Sequence, residues 1–134
     1  MNIFTITQQT TLRAAIDRIV PPDQFLGGWE AGVGDYLARQ FTGDLAALIG
    51  QYEAGLDALD ATARRMHAAP FAALPIATQD SLLSQVEMGA AGAELAQFFA
   101  LLVTHTMEGY YGDPGNGGNR DAVAWQMIGF EVRG

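Results

Sequence analysis

The chain is 134 residues long, and its seven basic residues, all arginine, face fifteen carboxylates for a formal net charge of −8. That balance excludes a non-specific nucleic-acid binder, which needs a basic footprint to displace counterions from phosphate. It also argues against docking on an anionic membrane, and the absence of lysine and cysteine excludes Schiff-base lysines, thiolate nucleophiles, disulfides and zinc–thiolate sites.

The pattern is helical nearly throughout. Over residues 7–20, Leu12, Ile16 and Ile19 recur at helical spacing, with Thr7 or Thr10 as the capping side chain. Pro21-Pro22 ends this helix, and residues 25–28 are read as a loop. Trp29, Val33, Tyr36, Leu37 and Phe41 predict a second, shorter helix that closes at Thr42-Gly43. The third helix is expected from Asp44, as its cap, to His67. Leu45, Leu48, Ile49, Tyr52, Leu56 and Leu59 form its apolar stripe, and Glu53, Asp57, Asp60, Arg64 and Arg65 its solvent face. Asp60 and Arg64 stand four apart in the favourable order. Phe71, Leu74 and Ile76 fall in a connection marked by Pro70 and Pro75. Thr78 is read as the cap of a fourth helix over residues 79–88, interrupted by Gly89 and Gly92. The fifth helix, residues 93–111, carries Leu95, Phe98, Phe99, Leu102, Val103, Thr106 and Met107, and its wide apolar arc marks it as the central one. Residues 112–118 hold four glycines, one proline and one asparagine, a turn-rich loop. Asn119 then caps a short helix over residues 120–127, and residues 128–132 are read as extended. The expected fold is all-α, a compact bundle of about five or six helices in one domain spanning residues 1–134.

Charged residues make up 16% of the chain, against about 25% in ordinary globular domains. Spare apolar and alanine surface with little charge is the composition of a subunit interface, although an alanine-rich genome produces it too. No apolar run approaches the roughly 20 residues that span a bilayer, so no direct membrane insertion is expected. Met1-Asn2-Ile3-Phe4-Thr5 shows neither a basic region nor a long apolar segment, as expected of a cytoplasmic protein or of a mature chain whose signal has been removed.

His105 and Glu108 share a helix face at i and i+3. That pair makes a stand-alone helical metal protein or enzyme the alternative function. No second such pair accompanies it, and the plainer account is a histidine hydrogen-bonded at the end of a buried helix. The glycine-rich stretch from Gly112 to Asp121 resembles neither a nucleotide loop nor a helix–loop–helix calcium site, and is read as a shaped turn. Ser81 and Ser84, the only serines, sit on the fourth helix, away from any sharp strand-to-helix turn. No dinucleotide fingerprint is present, so no cofactor, metal or catalytic residue is assigned to this chain. Tyr110, Tyr111, Trp125 and Phe130, with Arg120 and little other charge, have the composition of a binding hot spot. Packing of the C-terminal segment onto the fifth helix uses the same residues.

These residues carry a resemblance. His105-Thr106-Met107-Glu108-Gly109-Tyr110-Tyr111-Gly112-Asp113-Pro114, then Gly117-Gly118-Asn119-Arg120-Asp121, Trp125 and Ile128-Gly129-Phe130 resemble the C-terminal signature of the gluconate 2-dehydrogenase subunit 3 family. Asp17-Arg18-Ile19-Val20-Pro21-Pro22, Glu30-Ala31-Gly32-Val33 and Gln79-Asp80 with Leu82-Leu83 follow the same pattern. The resemblance implies a non-catalytic small subunit of a periplasmic or membrane-associated sugar or sugar-acid dehydrogenase. It implies a large flavoprotein partner of the glucose–methanol–choline type, which holds FAD, and often a multihaem cytochrome c as electron acceptor. It further implies a role in folding and exporting that partner, through a twin-arginine signal that this sequence does not show. Tyr110, Tyr111, Arg120, Trp125 and Phe130 are the expected contact residues.

Overall fold

Residues 3–22 and 27–111 are described by a computed structural model of the chain. They form five α-helices: α1 (Ile6–Ile19), α2 (Val33–Gln40), α3 (Ile49–His67), α4 (Ile76–Glu87) and α5 (Ala93–Tyr111). Two 3₁₀ turns, Ala46–Leu48 and Phe71–Ala73, connect them, and no strand occurs among the described residues. The all-α expectation therefore holds. The short helix and extended tail expected beyond Tyr111 lie outside the described residues.

The fifth helix is central, as its apolar arc predicts: α5 packs against α1, α2, α3 and α4. Leu95, Phe98, Phe99 and Leu102 are buried on its inner side. They meet Leu12 and Ile16 of α1, Leu56 and Leu59 of α3, and Leu82 and Val86 of α4 in one core. Its predicted start is also correct, because Gly92, at φ +104°, takes a backbone shape that few other residues adopt and so starts the helix cleanly.

Four helix starts differ from expectation. The cap of α1 is Thr5, not Thr7 or Thr10: its hydroxyl accepts the Gln8 N–H, and the Gln8 side chain accepts the Thr5 N–H. This reciprocal capping box satisfies two backbone donors at once. Thr10 instead donates to the Ile6 carbonyl. Asp44 caps no helix. The N–H groups of Leu45, Ala46 and Leu48 bond to the carbonyls of Gln40, Gly43 and Leu45, so a turn and a 3₁₀ segment intervene before α3 starts at Ile49. Thr78 lies inside the first turn of α4, whose cap position is Pro75; proline there has no N–H to leave unpaired. Trp29 likewise precedes α2. Its N–H donates to Asp17 Oδ1 at 3.1 Å, and its ring covers Gly34, where a methyl group would come within 2.7 Å of it.

Asp60 is the clearest correction. It sits in the acidic face of the predicted third helix, yet it is buried. One oxygen accepts the Phe71 N–H and the other the Arg64 Nε–H, both at 2.9 Å. Buried Gln79 donates to the Phe71 carbonyl at 3.1 Å. The two side chains satisfy backbone groups that the proline-marked connection cannot pair internally, which is why polar residues are placed there.

Ala68 ends α3 with φ +58°, the left-handed region, and its N–H bonds to the Arg64 carbonyl. A side chain in that conformation costs about 1 kcal/mol relative to glycine. Ala68→Gly is expected to stabilise the fold by about 0.5–1 kcal/mol, read as a higher denaturation midpoint with an unchanged slope.

Candidate functional site

The polar feature at the centre of the bundle is a pair from two helices. Tyr52 of α3 and His105 of α5 are both buried, and the Tyr52 hydroxyl lies 2.7 Å from His105 Nδ1. With the imidazole proton on Nε2, the phenol donates. The rings are nearly parallel, with centroids 5.8 Å apart. Aromatic side chains enclose the tyrosine: Phe41 meets it edge-on at 4.9 Å and Phe98 at 5.3 Å, while Phe4 stacks at 6.3 Å. Burial lowers the His105 pKa below its ordinary 6.5, with the Glu108 carboxylate opposing. Burial also raises the Tyr52 pKa, and Glu108 adds to that. Both groups are therefore neutral at physiological pH, and their hydrogen bond joins α3 to α5 inside an apolar cage.

His105 and Glu108 share a helix face without sharing an environment. His105 is enclosed, whereas Glu108 is exposed and faces Tyr36, whose pKa rises through burial first and through Glu108 and Asp44 after it. Among the described residues no three His, Asp or Glu side chains gather as a metal site would require. His67, Ser81 and Ser84 are exposed.

Of the expected contact residues, the structure describes two. Tyr110 is fully buried, while Tyr111 is 38% exposed; their rings meet edge-on at 5.3 Å. Tyr110 thus serves the interior. Arg120, Trp125 and Phe130 lie outside the described residues, as does the glycine-rich loop.

A groove of about 200 Å³ opens between α3 and α5, lined by Ala54, Gly55 and Ala58 on one side and Leu95, Gln97 and Phe98 on the other. It is smaller than the roughly 300–1,000 Å³ of ordinary small-molecule pockets, so it does not fit a dinucleotide such as FAD. Nothing in the spacing of the sequence announces this groove or the Tyr52–His105 pair, since both depend on how two helices cross.

A family model described as gluconate 2-dehydrogenase subunit 3 matches residues 6–132. The chain belongs to that family. No curated protein and no solved structure matches it. For this member of the gluconate 2-dehydrogenase subunit 3 family, the match begins at the first residue of α1, takes in all five helices and runs on through Trp125 and Phe130. The resemblance carried by the C-terminal motif therefore extends over the whole bundle.

Two outcomes are expected of the buried pair in this subunit 3 chain. Tyr52→Phe removes the hydroxyl and leaves His105 Nδ1 enclosed without its partner. The loss is about 1–3 kcal/mol, measured by urea denaturation. The pH dependence has a definite sign. The folded state holds His105 below 6.5, so the unfolded chain binds the proton first as the medium is acidified. The stabilisation is fully present above about pH 6.5 and is lost as pH falls through the folded value. The imidazole resonance should titrate with a midpoint below 6.5, and the stability loss on acidification should be smaller in His105→Asn.

Proposed function

We propose that this chain is a non-catalytic accessory subunit that binds and matures a large FAD-dependent dehydrogenase of the glucose–methanol–choline type, acting on a sugar or sugar acid. The observation that carries the reading is the family match over residues 6–132. The family takes its name from a subunit of gluconate 2-dehydrogenase, and the low charge of the chain, 16% of residues, suits a surface that a partner covers. In this reading FAD and the chemistry belong to the partner, the assembled complex is exported to the periplasm, and a c-type cytochrome takes the electrons.

The mechanism is binding. A protein that binds only the folded form of its partner stabilises it by mass action, by about 2.7 kcal/mol at a hundredfold excess over Kd. An obligate interface buries more than about 2,000 Å² summed over both partners, about half of it from each, and this chain has 7028 Å² of accessible surface to draw on. The half-exposed Tyr111 anchors one end of the contact, together with Arg120, Trp125 and Phe130. The enclosed His105, already bonded to Tyr52, holds the bundle rather than a metal.

Co-expression tests the reading. The cognate large flavoprotein should be soluble, yellow and active with this chain present, and at least tenfold less abundant in flavin-loaded form without it. Equal yield, flavin content and sugar oxidation in its absence overturn the proposal.

A further inference from the structure

With no cysteine in the chain, all of its sulfur is in five methionines. Met1 and Met127 lie outside the described residues, and the other three occupy different surroundings. Met107 of α5 is partly buried and packs against the core. Met66, near the end of α3, is 48% exposed. Met88, which closes α4, is 81% exposed. The backbone around Met88 is paired without help from its side chain. The Met88 N–H bonds to the Ser84 carbonyl, the Gly89 N–H to that of Val86 and the Ala90 N–H to that of Gln85. With Gly89 at φ +87°, these bonds form the Schellman end of a helix. The space beside Gly89 is open: a methyl group added there would meet nothing within 4 Å.

Neither packing nor capping explains a methionine at this place. The last turn of a helix favours a cation, and an exposed thioether adds nothing to the core. What the position does offer is access to sulfur. A thioether is oxidised by peroxides at a rate that follows its exposure, and the sulfoxide formed is polar and can be reduced back. We propose that Met88 is an oxidation site for hydrogen peroxide and other small hydroperoxides, one that takes up oxygen reversibly at no cost to the fold. The sulfur lone pair attacks one peroxide oxygen, the O–O bond breaks as the S–O bond forms, and the second oxygen of hydrogen peroxide leaves as water. Sulfur is oxidised by two electrons and the peroxide is reduced by the same two. The sulfoxide projects into solvent from a turn held by its own backbone. The same change at Met107 would place a polar group against the apolar side chains of the core. The assignment is independent of the accessory-subunit reading, since it concerns only this chain.

Dilute hydrogen peroxide on the folded full-length chain tests it, with peptide mapping by mass spectrometry over time. Met88 should gain its oxygen about twofold faster than Met66 and about tenfold faster than Met107. Oxidation of Met66 or Met107 as fast as that of Met88 overturns the assignment. Chain oxidised at Met88 should keep the thermal midpoint of the untreated chain, and methionine sulfoxide reductases should return it to its original mass while it is still folded. A lowered midpoint, or a sulfoxide that the reductases reach only after denaturation, overturns it as well. Met88→Leu gives a separate readout: it should keep the midpoint and leave the oxidation rates of Met66 and Met107 unchanged. A lower midpoint in this variant would show that the side chain supports the fold, and would end the proposal.

Discussion

The bundle depends on the closeness with which α3 and α5 cross. At Gly55 a methyl group would stand 2.2 Å from the Phe98 ring, so the ring lies directly on the backbone of α3. This contact brings the next turn of α3 within reach of the far half of α5, where Tyr52 meets His105 at 2.7 Å. A neutral hydrogen bond of this kind contributes about 1 kcal/mol net, but leaving either group buried and unpaired costs more. The pair therefore acts more as a constraint on register than as a source of stability. Sliding α5 by one turn against α3 would strand both groups among Phe4, Phe41 and Phe98.

The same approach determines what is left outside. Gly55 and Phe98 also line the recess, together with Ala54, Ala58 and Leu95. Core and groove thus share one glycine–phenylalanine contact. The remaining polar groups follow a different logic. Asp60 and Gln79 hold the Phe71–Ala73 turn, and Asp17 holds the Trp29 N–H, each serving backbone that no helix pairs. Burial raises the Asp17 pKa, while the Trp29 N–H, Arg13 and Arg18 oppose that rise.

Much of this was legible in the residues. The start of α5 follows from Gly92 and its course from the apolar positions that recur after it, since periodicity over 19 residues averages out local ambiguity. Its central position follows from the width of the same arc. Short-range signals were less reliable. Thr5, Thr7 and Thr10 all qualify as caps by type, and only the glutamine three residues after Thr5 distinguishes the first. Asp44 and Thr78 are good capping residues at places where turn carbonyls and Pro75 already settle the backbone. Asp60 reads as a surface carboxylate because helical spacing reports the face and not what the following loop brings down on it. The Tyr52–His105 bond spans 53 positions, and no periodicity encodes a partner at that separation. Tyr110, by type a contact residue, is an interior one because α5 turns it inward.

Composition gave the quantity of missing charge but not its place. Averaged along the chain, 16% charged residues fits a poorly decorated surface everywhere as well as a bare face in one region. The fold separates these cases. Carboxylates stand along the Glu53 side of α3, on α2 at Asp35 and on α4 at Asp80 and Glu87, while residues 45–52, 66–79 and 95–107 hold no Asp, Glu, Lys or Arg. Uniform depletion would thin all of these alike. Depletion is instead patchy among the described residues, and one uncharged stretch carries the exposed apolar side chains Met66 and Ile76. Solubility alone does not call for such a distribution, because for solubility the position of a charge matters little. A partner that must exclude water does call for it, because each unpaired charge left beneath such a contact opposes binding by several kcal/mol.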